Sequence, residues 1–585
     1  MNEFGTIHKW QPSCHRSWHT WRMDQIDEPA ERSHVEMIDS SGPGSAAEKS
    51  PTVSAGWAWL AGTLGAAMAL GVGEFASRLS EQIMSLVIGV GELFVDITPG
   101  EVVATSINNV GAAQKPILLW SIVIGSLLVG GAIGLGARRD QRVIPAGFAV
   151  FGLFGGFATA RSALTNGPLS WLVALTAAAA GAATVMVLFS YARRASTSSP
   201  NNVIVPGSPL SQAANRRRIL AYGGAAVGAV ALTTGSRIGR TSAAERARDE
   251  ILTNASSTST TLPPGGSAIV QPNALPTGAF DDVAGMTSYI TPISPEDEFY
   301  LIDTALQKPQ VDPSTWSLTI DGEYVTTPVT YTYDELMARE MIETEVTLSC
   351  VSNRVGGDLV GNAVWRGIPL AELFAEAGII DPTDAQTQVF SRSVDGFTCG
   401  FPTPLAYDGR TAMLALEMNG EPLPIIHGFP ARIVVAGLYG YVSATKWVER
   451  ISITDWIGVD GFWMPRGWSK EGPIKTQSRI DVPQNRDTVS PGLVNIGGVA
   501  WSPTVGIERV EISLGEDEVW QEVELAVVES NETWVQWKFD WDATPGDWFI
   551  RVRATDTSGF TQSPITVEPA PNGAEGYHTI LVQVQ

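Results

Sequence analysis

Long apolar runs in the first half of the chain restrict its possible folds more than any other feature. They cover residues 57–76, 117–137, 144–160, 169–191 and 219–236. Each is close to the ~20 residues that cross a bilayer as one helix. Glycine and alanine are frequent throughout, as in closely packed membrane helices. The sequence therefore predicts an N-terminal α-helical transmembrane bundle of about five spans within residues 55–237.

Positive charge indicates how these spans are oriented. Residues 138–142 carry three arginines, and residues 193–218 carry five. Loops rich in Lys and Arg stay on the cytoplasmic side of a membrane. Five spans then place the amino terminus inside and everything after the fifth span outside. We therefore expect a multi-pass cell-membrane protein whose second half is extracytoplasmic.

Two features of the first half allow alternatives. The apolar run at residues 84–97 is interrupted by Glu92 and Asp96, which favours an interfacial or re-entrant piece on the outer side over a sixth span. The three arginines at residues 216–218 either anchor the fifth span or form a twin-arginine export signal. Both alternatives for the arginines leave the second half on the same side.

Composition excludes some functions. The net charge of −23 argues against a nucleic-acid partner, which needs a basic face. Four of the six His residues lie in the tail and the others are His427 and His578, so the predicted bundle contains no His pair to hold a haem. Electrons crossing it would need a separate electron-transfer partner. Charge is absent deep within the main spans, with Glu74 near one end, which disfavours an ion transporter.

Two segments have the composition of unstructured chain. Residues 1–54 are polar and mix charges with Pro, Ser and Gly, which predicts a disordered cytoplasmic tail. Residues 238–280, rich in Ser, Thr, Pro and Gly toward their end, are expected to form a linker. The second half then begins near residue 281.

The second half is organised around Cys350. Residues 345–348 alternate polar and apolar as in a half-buried strand, a Gly-rich turn follows Cys350, and residues 368–377 have helical spacing. Reactive side chains are common where a rigid strand ends in a loop, but a lone Cys is as often a small buried hydrophobe. Spacing alone leaves both interpretations open.

The sequences TLSCVSNR (residues 347–354) and GNAVWRGIPLAELF (residues 361–374) resemble the molybdenum-ligand segment of the sulfite oxidase family. The resemblance extends over roughly residues 297–585. It implies an α+β molybdopterin-binding domain, here residues 281–480, with a Mo-molybdopterin cofactor. In that family the Cys thiolate binds the metal, a role that suits a soft anionic sulfur. Cys350 is therefore the expected metal ligand and a catalytic residue.

A second match, HGFPARIVVAGLYGYVSATKW at residues 427–447, implies how the pterin is held. His427, Arg432 and Lys446 correspond to positions that bind the pterin phosphate, where Arg offers a two-pronged contact and Lys a point charge. Asp395 corresponds to an acidic residue at the pterin, with a turn role beside a glycine as the alternative. The resemblance also assigns cofactor contacts to Tyr300, Leu301, Ile302, Asn353, Arg354, Ala444 and Thr445.

The substrate positions depart from the family. Sulfite oxidases carry Arg where this chain has Ile302 and Val355, and they place a Tyr near the metal where it has Trp468. Trp468 is accordingly the second candidate catalytic residue. Fewer cations and more aromatic surface favour a neutral or bulky small-molecule substrate over a small dianion.

Residues 481–585 contain short alternating segments separated by turns, which predicts an all-β immunoglobulin-like sandwich. This region is similar to the family's C-terminal dimerisation domain, which implies a possible homodimer. We therefore expect a membrane-anchored oxidoreductase that performs oxygen-atom transfer on a sulfur compound or an S- or N-oxide. The alternative is a catalytically degenerate molybdopterin-binding or assembly protein held in the membrane.

Overall fold

The computed structural model describes residues 53–100, 102, 105, 106, 110, 113–197, 242–257 and 292–585. The predicted fifth span (residues 219–236), the three arginines before it, nearly all of the predicted tail and most of the predicted linker lie outside these residues. The described part consists of apolar helices followed by a β-rich half.

Four helices correspond to the first four predicted spans. Before the β-rich half, the described helices are α1 (Ala55–Ser77), α2 (Leu86–Ile97), α3 (Gln114–Gly136), α4 (Val143–Ala160), α5 (Gly167–Thr197) and α6 (Ala243–Ser257). Of these, α1, α3, α4 and α5 are long and apolar enough to cross a membrane. Helix α2 has 12 residues, a length of ~18 Å that is too short for a hydrocarbon core of ~30 Å. It lies in the run predicted to be interfacial or re-entrant.

Glycines let α1 and α3 touch backbone to backbone. A Cβ added to Gly62 would lie 2.0 Å from the Gly130 carbonyl oxygen, and one added to Gly134 would lie 2.0 Å from the Ala58 carbonyl oxygen. No larger residue fits at either crossing point. Such small-residue contacts associate helices where no water is present to drive them together.

One end of the helical part faces the β-rich half. At the start of α3, Lys115 forms an ion pair with Asp303, and beside the end of α2 the Arg466 guanidinium donates to the Asp96 carbonyl oxygen. Helix α3 has 23 residues and is therefore ~34 Å long. The arginines of residues 138–142 follow its far end, so they lie on the side of the helices away from the β-rich half.

Residues 292–476 form an α+β unit. Its strands are β1 (Ser317–Gly322), β2 (Val329–Thr332), β3 (Ile342–Ser349), β4 (Val360–Pro369), β5 (Thr387–Ser393), β6 (Thr398–Pro402), β7 (Ala412–Met418), β8 (Glu421–Pro422), β9 (Arg432–Val435) and β10 (Val448–Asp455), and its helices are α7 (Tyr333–Met337), α8 (Leu370–Ala377) and α9 (Gly440–Ser443). One sheet has the order β2-β1-β10-β5-β6 and the other β3-β4-β7-β8, with β9 beside β7. Trp365, Phe374 and Phe429 are fully buried in their shared core.

The remaining residues form two further sheets around a second core. Their strands are β11 (Gln477–Val482), β12 (Thr488–Val489), β13 (Gly492–Trp501), β14 (Ile507–Leu514), β15 (Trp520–Glu522), β16 (Glu524–Leu525), β17 (Val535–Ala543), β18 (Gly546–Asp556) and β19 (His578–Val584). The sheet orders are β11-β13-β17-β16 and β12-β19-β18-β14-β15. Ile512, Trp537 and Ile580 lie in the core between them. Because β11 pairs with β13, this part begins at Gln477, slightly before the predicted boundary at residue 481.

Helix α6 lies inside the segment predicted as linker. The Ser242 hydroxyl accepts from the Glu245 N–H at 2.9 Å, and the Glu245 carboxylate accepts from the Ser242 N–H at 2.7 Å, which is a capping box. Arg248 then donates to the Glu421 carboxylate at 3.1 Å, so the helix is fixed to strand β8. The linker composition starts only near residue 255, and the segment before it has the capping residues of a helix.

His578 connects the C-terminal sheets to the loop that holds Cys350. Its ring packs on Gly356, where an added Cβ would lie 2.2 Å from the ring, and its Nδ1 accepts from the Ile480 N–H at 3.0 Å. Burial, and then the nearby charge of Arg479, lower the pKa of His578 to about 4. The folded protein therefore holds this imidazole neutral.

This gives a pH dependence of stability. An unfolded His titrates near 6.5, so the contribution of neutral His578 is complete above that pH and declines as the pH falls toward 4, by at most ~1.4 kcal/mol per pH unit. We expect the melting temperature to fall between pH 7 and pH 5, and His578→Gln to make that fall smaller. Melting curves at several pH values check this, and an unchanged pH dependence in the variant would contradict it.

Candidate active site

Cys350 begins the loop that joins strands β3 and β4. Ser349 and Val360 are the last paired residues of the hairpin, and the Cys350 N–H donates to the Leu359 carbonyl oxygen at 2.9 Å. The Asn353 side chain accepts from the Leu359 N–H at 3.0 Å, so it closes the loop from inside. Cys350 is 6% exposed, and burial raises the pKa of its thiol. The strand and the closed loop thus hold one thiol at a fixed place.

The C-terminal sheets support this hairpin from behind. The Trp534 N–H donates to the Thr347 hydroxyl at 2.7 Å, and the Thr347 N–H donates to the Glu532 carbonyl oxygen at 2.9 Å. The Arg479 guanidinium donates to the Gly357 carbonyl oxygen at 2.9 Å. The sheet that contains β3 and β4 and the C-terminal sheet that contains β11 and β17 therefore both position the Cys350 loop.

A pocket with about 850 Å³ of space, counted to its open mouth, surrounds the face of this loop. Nine of the residues singled out from the sequence line it: Tyr300, Ile302, Cys350, Asp395, His427, Arg432, Ala444, Lys446 and Trp468. They come from five separate segments of the chain. The fold brings these segments together at one pocket, which we call the Cys350 pocket.

The other singled-out residues lie behind or beside the pocket. Leu301 is exposed at 42%, and Arg354 is an exposed residue of the loop whose carbonyl oxygen accepts from the Gly357 N–H. Thr445 is fully buried, and its hydroxyl lies 2.7 Å from Ser391 Oγ. Val355 lies near Gly576 of the C-terminal sheets and does not line the pocket.

The two buried cysteines are both free. Cys399 is fully buried beside Thr445, with its sulfur 3.0 Å from the Thr445 hydroxyl, and it does not line the pocket. The thiol of Cys350 is therefore not consumed by a disulfide.

Arg432 is a buried cation with no acidic partner among the described residues. It is 4% exposed, its Nη1 donates to the His427 carbonyl oxygen at 3.1 Å, and its guanidinium lies 4.7 Å from the centre of the Trp365 ring. Its Nε is buried without a hydrogen-bond partner. Burial lowers the pKa of Arg432 to about 10, so the group stays charged at neutral pH. A buried charge left this way is costly, and an anion in the pocket would relieve the cost.

Three lysines meet at one carboxylate on the pocket wall. Asp303 contacts Lys446 at 2.6 Å, Lys115 at 2.9 Å and Lys308 at 2.6 Å, and we call this group the Asp303 cluster. Burial would raise the pKa of Asp303, but the three ammonium groups outweigh it and hold that pKa well below its usual range. Burial lowers the pKa of Lys446 to about 8. The cluster keeps a net positive charge near Arg432.

Sequence reasoning missed three members of this cluster. Lys115 belongs to α3, 188 positions before Asp303, and no local pattern connects the two. Asp303 and Lys308 lie in the segment that the family resemblance covers, yet an Asp and a Lys at these positions do not by themselves indicate a buried charge cluster. An apolar span beginning with one lysine was the only available clue.

His427 is held in one orientation. Its Nε2 lies 2.9 Å from the Glu296 carbonyl oxygen and must donate to it, and its ring packs edge-on against Phe299 at 5.5 Å between ring centres. Burial lowers the pKa of His427 to about 4. At neutral pH it is therefore an uncharged imidazole, and Arg432 and Lys446 supply the positive charge.

Aromatic side chains form another wall of the pocket. Trp468 is 6% exposed, with its ring centre 5.9 Å from that of Tyr441 and 6.1 Å from that of Trp463. Its Nε1 has no hydrogen-bond partner in the described structure. With Ile302 also on the wall, this surface suits an apolar group with one hydrogen-bond acceptor.

Known proteins resemble the second half of the chain. Residues 305–463 match the family model described as "Oxidoreductase molybdopterin binding domain". Mitochondrial sulfite oxidase of Rattus norvegicus is 31% identical over 348 residues, which are 51% of this chain and 62% of that protein, so the chain spans less than two thirds of this relative. Sulfite oxidase of Arabidopsis thaliana is 31% identical over 284 residues, 40% of this chain and 70% of that protein.

Solved structures are also similar to parts of this chain. The sulfane dehydrogenase SoxCD from Paracoccus pantotrophus matches 50% of this chain and 81% of its own, with 23% identity and a TM-score of 0.44.

The charge arrangement predicts opposite effects of two substitutions on the protein without cofactor. Arg432→Met removes a buried cation that has no acidic partner, so the melting temperature should stay equal or rise. Lys446→Met removes one of three partners of the buried Asp303 carboxylate, which should cost about 1.5–3 kcal/mol of unfolding free energy. Thermal and denaturant unfolding measure both, and an equal loss in the two variants would mean that the Arg432 charge is already neutralised within the protein.

Proposed function

The chain belongs to the sulfite oxidase family of molybdopterin oxidoreductases, and we propose that it is a membrane-anchored enzyme that transfers an oxygen atom at a molybdenum site ligated by Cys350. The observation that carries this proposal is the position of Cys350 and the unpaired Arg432 on the walls of one pocket. When bound, Mo-molybdopterin supplies oxygen-atom transfer coupled to a two-electron change.

The residues of the pocket fit such a cofactor. Cys350 offers a sulfur ligand, and among the described residues no three His, Cys, Asp or Glu side chains gather into another metal site. The unsatisfied Nε of Arg432 suits a phosphate oxygen, with Lys446 as a second positive charge. In this proposal His427 and the Asp303 cluster orient those groups, and the buried aromatic wall excludes water from the reacting side.

The substrate class follows from the pocket walls. Ile302 and Trp468 replace cationic and phenolic groups that sulfite oxidases use, and Val355 lies away from the pocket. A small dianion would find fewer partners here, whereas a neutral sulfur compound, an S-oxide or an N-oxide would pack on the aromatic wall. Trp468 Nε1 is positioned to donate a hydrogen bond to an oxide oxygen.

We place the catalytic half outside the cell membrane. The β-rich half contacts the ends of the helices opposite to the arginines of residues 138–142, and such arginines mark the cytoplasmic side. Helix α5 returns to the arginine side near Arg193, while Ser242 begins a helix next to Glu81 on the other side. We propose that residues 219–236 are the fifth span that joins these two points.

The C-terminal sheets supply a further proposal. Two β-sheets around one core suit the immunoglobulin-like dimerisation domain expected from the sequence, so we propose a homodimer formed through residues 477–585. Electrons must also leave or enter the pocket, which requires a separate electron-transfer partner.

The metal-ligand role of Cys350 has a matched control in Cys399. Cys350→Ser should remove the thiolate bond to molybdenum and with it turnover, while the molybdopterin stays bound through Arg432 and Lys446, since a hydroxyl is a poor ligand for a soft metal. Cys399→Ser should keep both, because Cys399 is equally buried but does not line the pocket. Metal analysis, pterin extraction and dye-coupled turnover measure the outcomes.

Two results would overturn the assignment. Wild-type turnover in Cys350→Ser would exclude this ligand. A wild-type protein without molybdenum, expressed in a host that makes the cofactor, would favour the degenerate binding or assembly protein.

The topology is tested by labelling in intact cells. In a Cys14→Ser background, Ile457→Cys places a thiol on a site exposed at 81%, and Arg139→Cys places one in the arginine-rich loop. A membrane-impermeant maleimide should label the first in intact cells and the second only after lysis. The reverse pattern would put the catalytic half in the cytoplasm.

A further inference from the structure

Helix α2 separates two spaces of different chemistry. On one side is a cavity with about 900 Å³ of space, counted to its open mouth, which we call the junction cavity and which lies between the helical part and the β-rich half. Glu92 and Asp96 of α2 lie on its wall, and Thr304, Asp395 and Phe397 line both this cavity and the Cys350 pocket. The junction cavity is therefore a polar space next to the pocket.

On the other side is an apolar groove between α2, α3 and α4, which we call the lateral groove. It has about 1200 Å³ of space, counted to its open side. Val87, Val90 and Phe94 of α2 form one wall at helical spacing. Val129 and Val150 on the facing helices are exposed at 52% and 67%, so the groove opens sideways, where a membrane would meet the helices.

Only one helix lies between the lateral groove and the junction cavity. Helix α2 contributes Val90 and Phe94 to the groove and Glu92 and Asp96 to the cavity, so opposite faces of the same turns line the two spaces. A helix with its side chains is ~10 Å across. This is the thickness of the wall between the groove and the cavity that adjoins the Cys350 pocket.

The need to move electrons to or from the Cys350 pocket indicates which molecule would occupy the lateral groove. Oxygen-atom transfer changes the metal by two electrons, and the sequence has no His between residues 34 and 427 to hold a haem in the helices. A carrier in the lateral groove must be soluble in lipid, able to pack on a wall of leucine, valine, phenylalanine and glycine, and able to take two electrons together with two protons. A quinone with an apolar tail meets all three conditions.

We propose that the lateral groove binds a lipid-soluble quinone that exchanges electrons with the Cys350 pocket across α2. This inference rests on the proposed function and names its electron partner. In the oxidising direction a substrate X and water give XO, two protons and two electrons, and the quinone takes up two protons and two electrons to become a quinol. The reducing direction is the reverse, with the quinol as the electron donor. Glu92 and Asp395 provide polar walls for water and protons on the pocket side.

Gly125 gives a precise way to fill the groove. It lies on the groove wall in α3, and a Cβ added there meets no atom within 4 Å, so a larger side chain enters open space. Gly56 in α1 is also free of neighbours within 4 Å and does not line the groove. Gly125→Leu and Gly56→Leu are therefore the same change inside and outside the proposed site.

The test uses the full-length, cofactor-loaded protein in lipid nanodiscs with decylubiquinone or its quinol as probe. We expect Gly125→Leu to raise the dissociation constant of the probe and to lower quinone-coupled turnover, each by about tenfold or more. Dye-coupled turnover, which bypasses the groove, should stay within about twofold of wild type. Gly56→Leu should change none of the three. Binding is measured by equilibrium titration and turnover by absorbance.

Failures of the two proposals are distinguishable. If the wild type turns over with dye but neither binds nor reacts with the probe, or if both glycine variants keep quinone coupling, the quinone site is wrong and a lipid chain or residues 219–236 fill the groove. If the wild type binds the probe but shows no dye-coupled turnover, the proposed enzyme function fails while the groove assignment stands.

Discussion

A positive charge buried without an acidic partner is the constraint on which the pocket depends. Arg432 keeps its charge beneath the protein surface, with a backbone carbonyl and a Trp ring as its neighbours and with one N–H unsatisfied. Folding alone does not satisfy this group, because every described carboxylate lies elsewhere. An anion that binds here therefore stabilises the folded protein as well as itself. Cofactor loading and stability are linked through this one side chain.

Hydrophobic patterning along the sequence predicted individual helices and strands. The apolar runs predicted four helices that are long enough to span a membrane, and the alternation of polar and apolar residues before Cys350 predicted strand β3. The contacts that complete the site depend on distant residues and carry no such pattern. Lys115 reaches Asp303 from a different half of the chain, and the position equivalent to an anion-binding Arg, Val355, lies near the C-terminal sheets. Motif matching located the pocket but gave neither its electrostatics nor the orientation of every matched residue.

The helical and β-rich halves both line the junction cavity, which a simple anchor would not need. Helix α2 is too short to span a membrane, and its faces line the junction cavity and the lateral groove. Lys115 places an ammonium group from α3 against a carboxylate of the pocket wall. The helices consequently contribute charge at the pocket wall and shape to the cavity beside it, so the family domain should be considered together with the helices that precede it.

The Lys115–Asp303 ion pair also limits how the two halves can be separated. A water-soluble version cut at residue 292 would lose one of three ammonium groups around a carboxylate that is 6% exposed. It would also bare the surface that α2 covers near Leu306. Over evolutionary time the same dependence would favour inheritance of both halves in a single gene. A catalytic half encoded alone would lack the Lys115 ammonium group that pairs with Asp303.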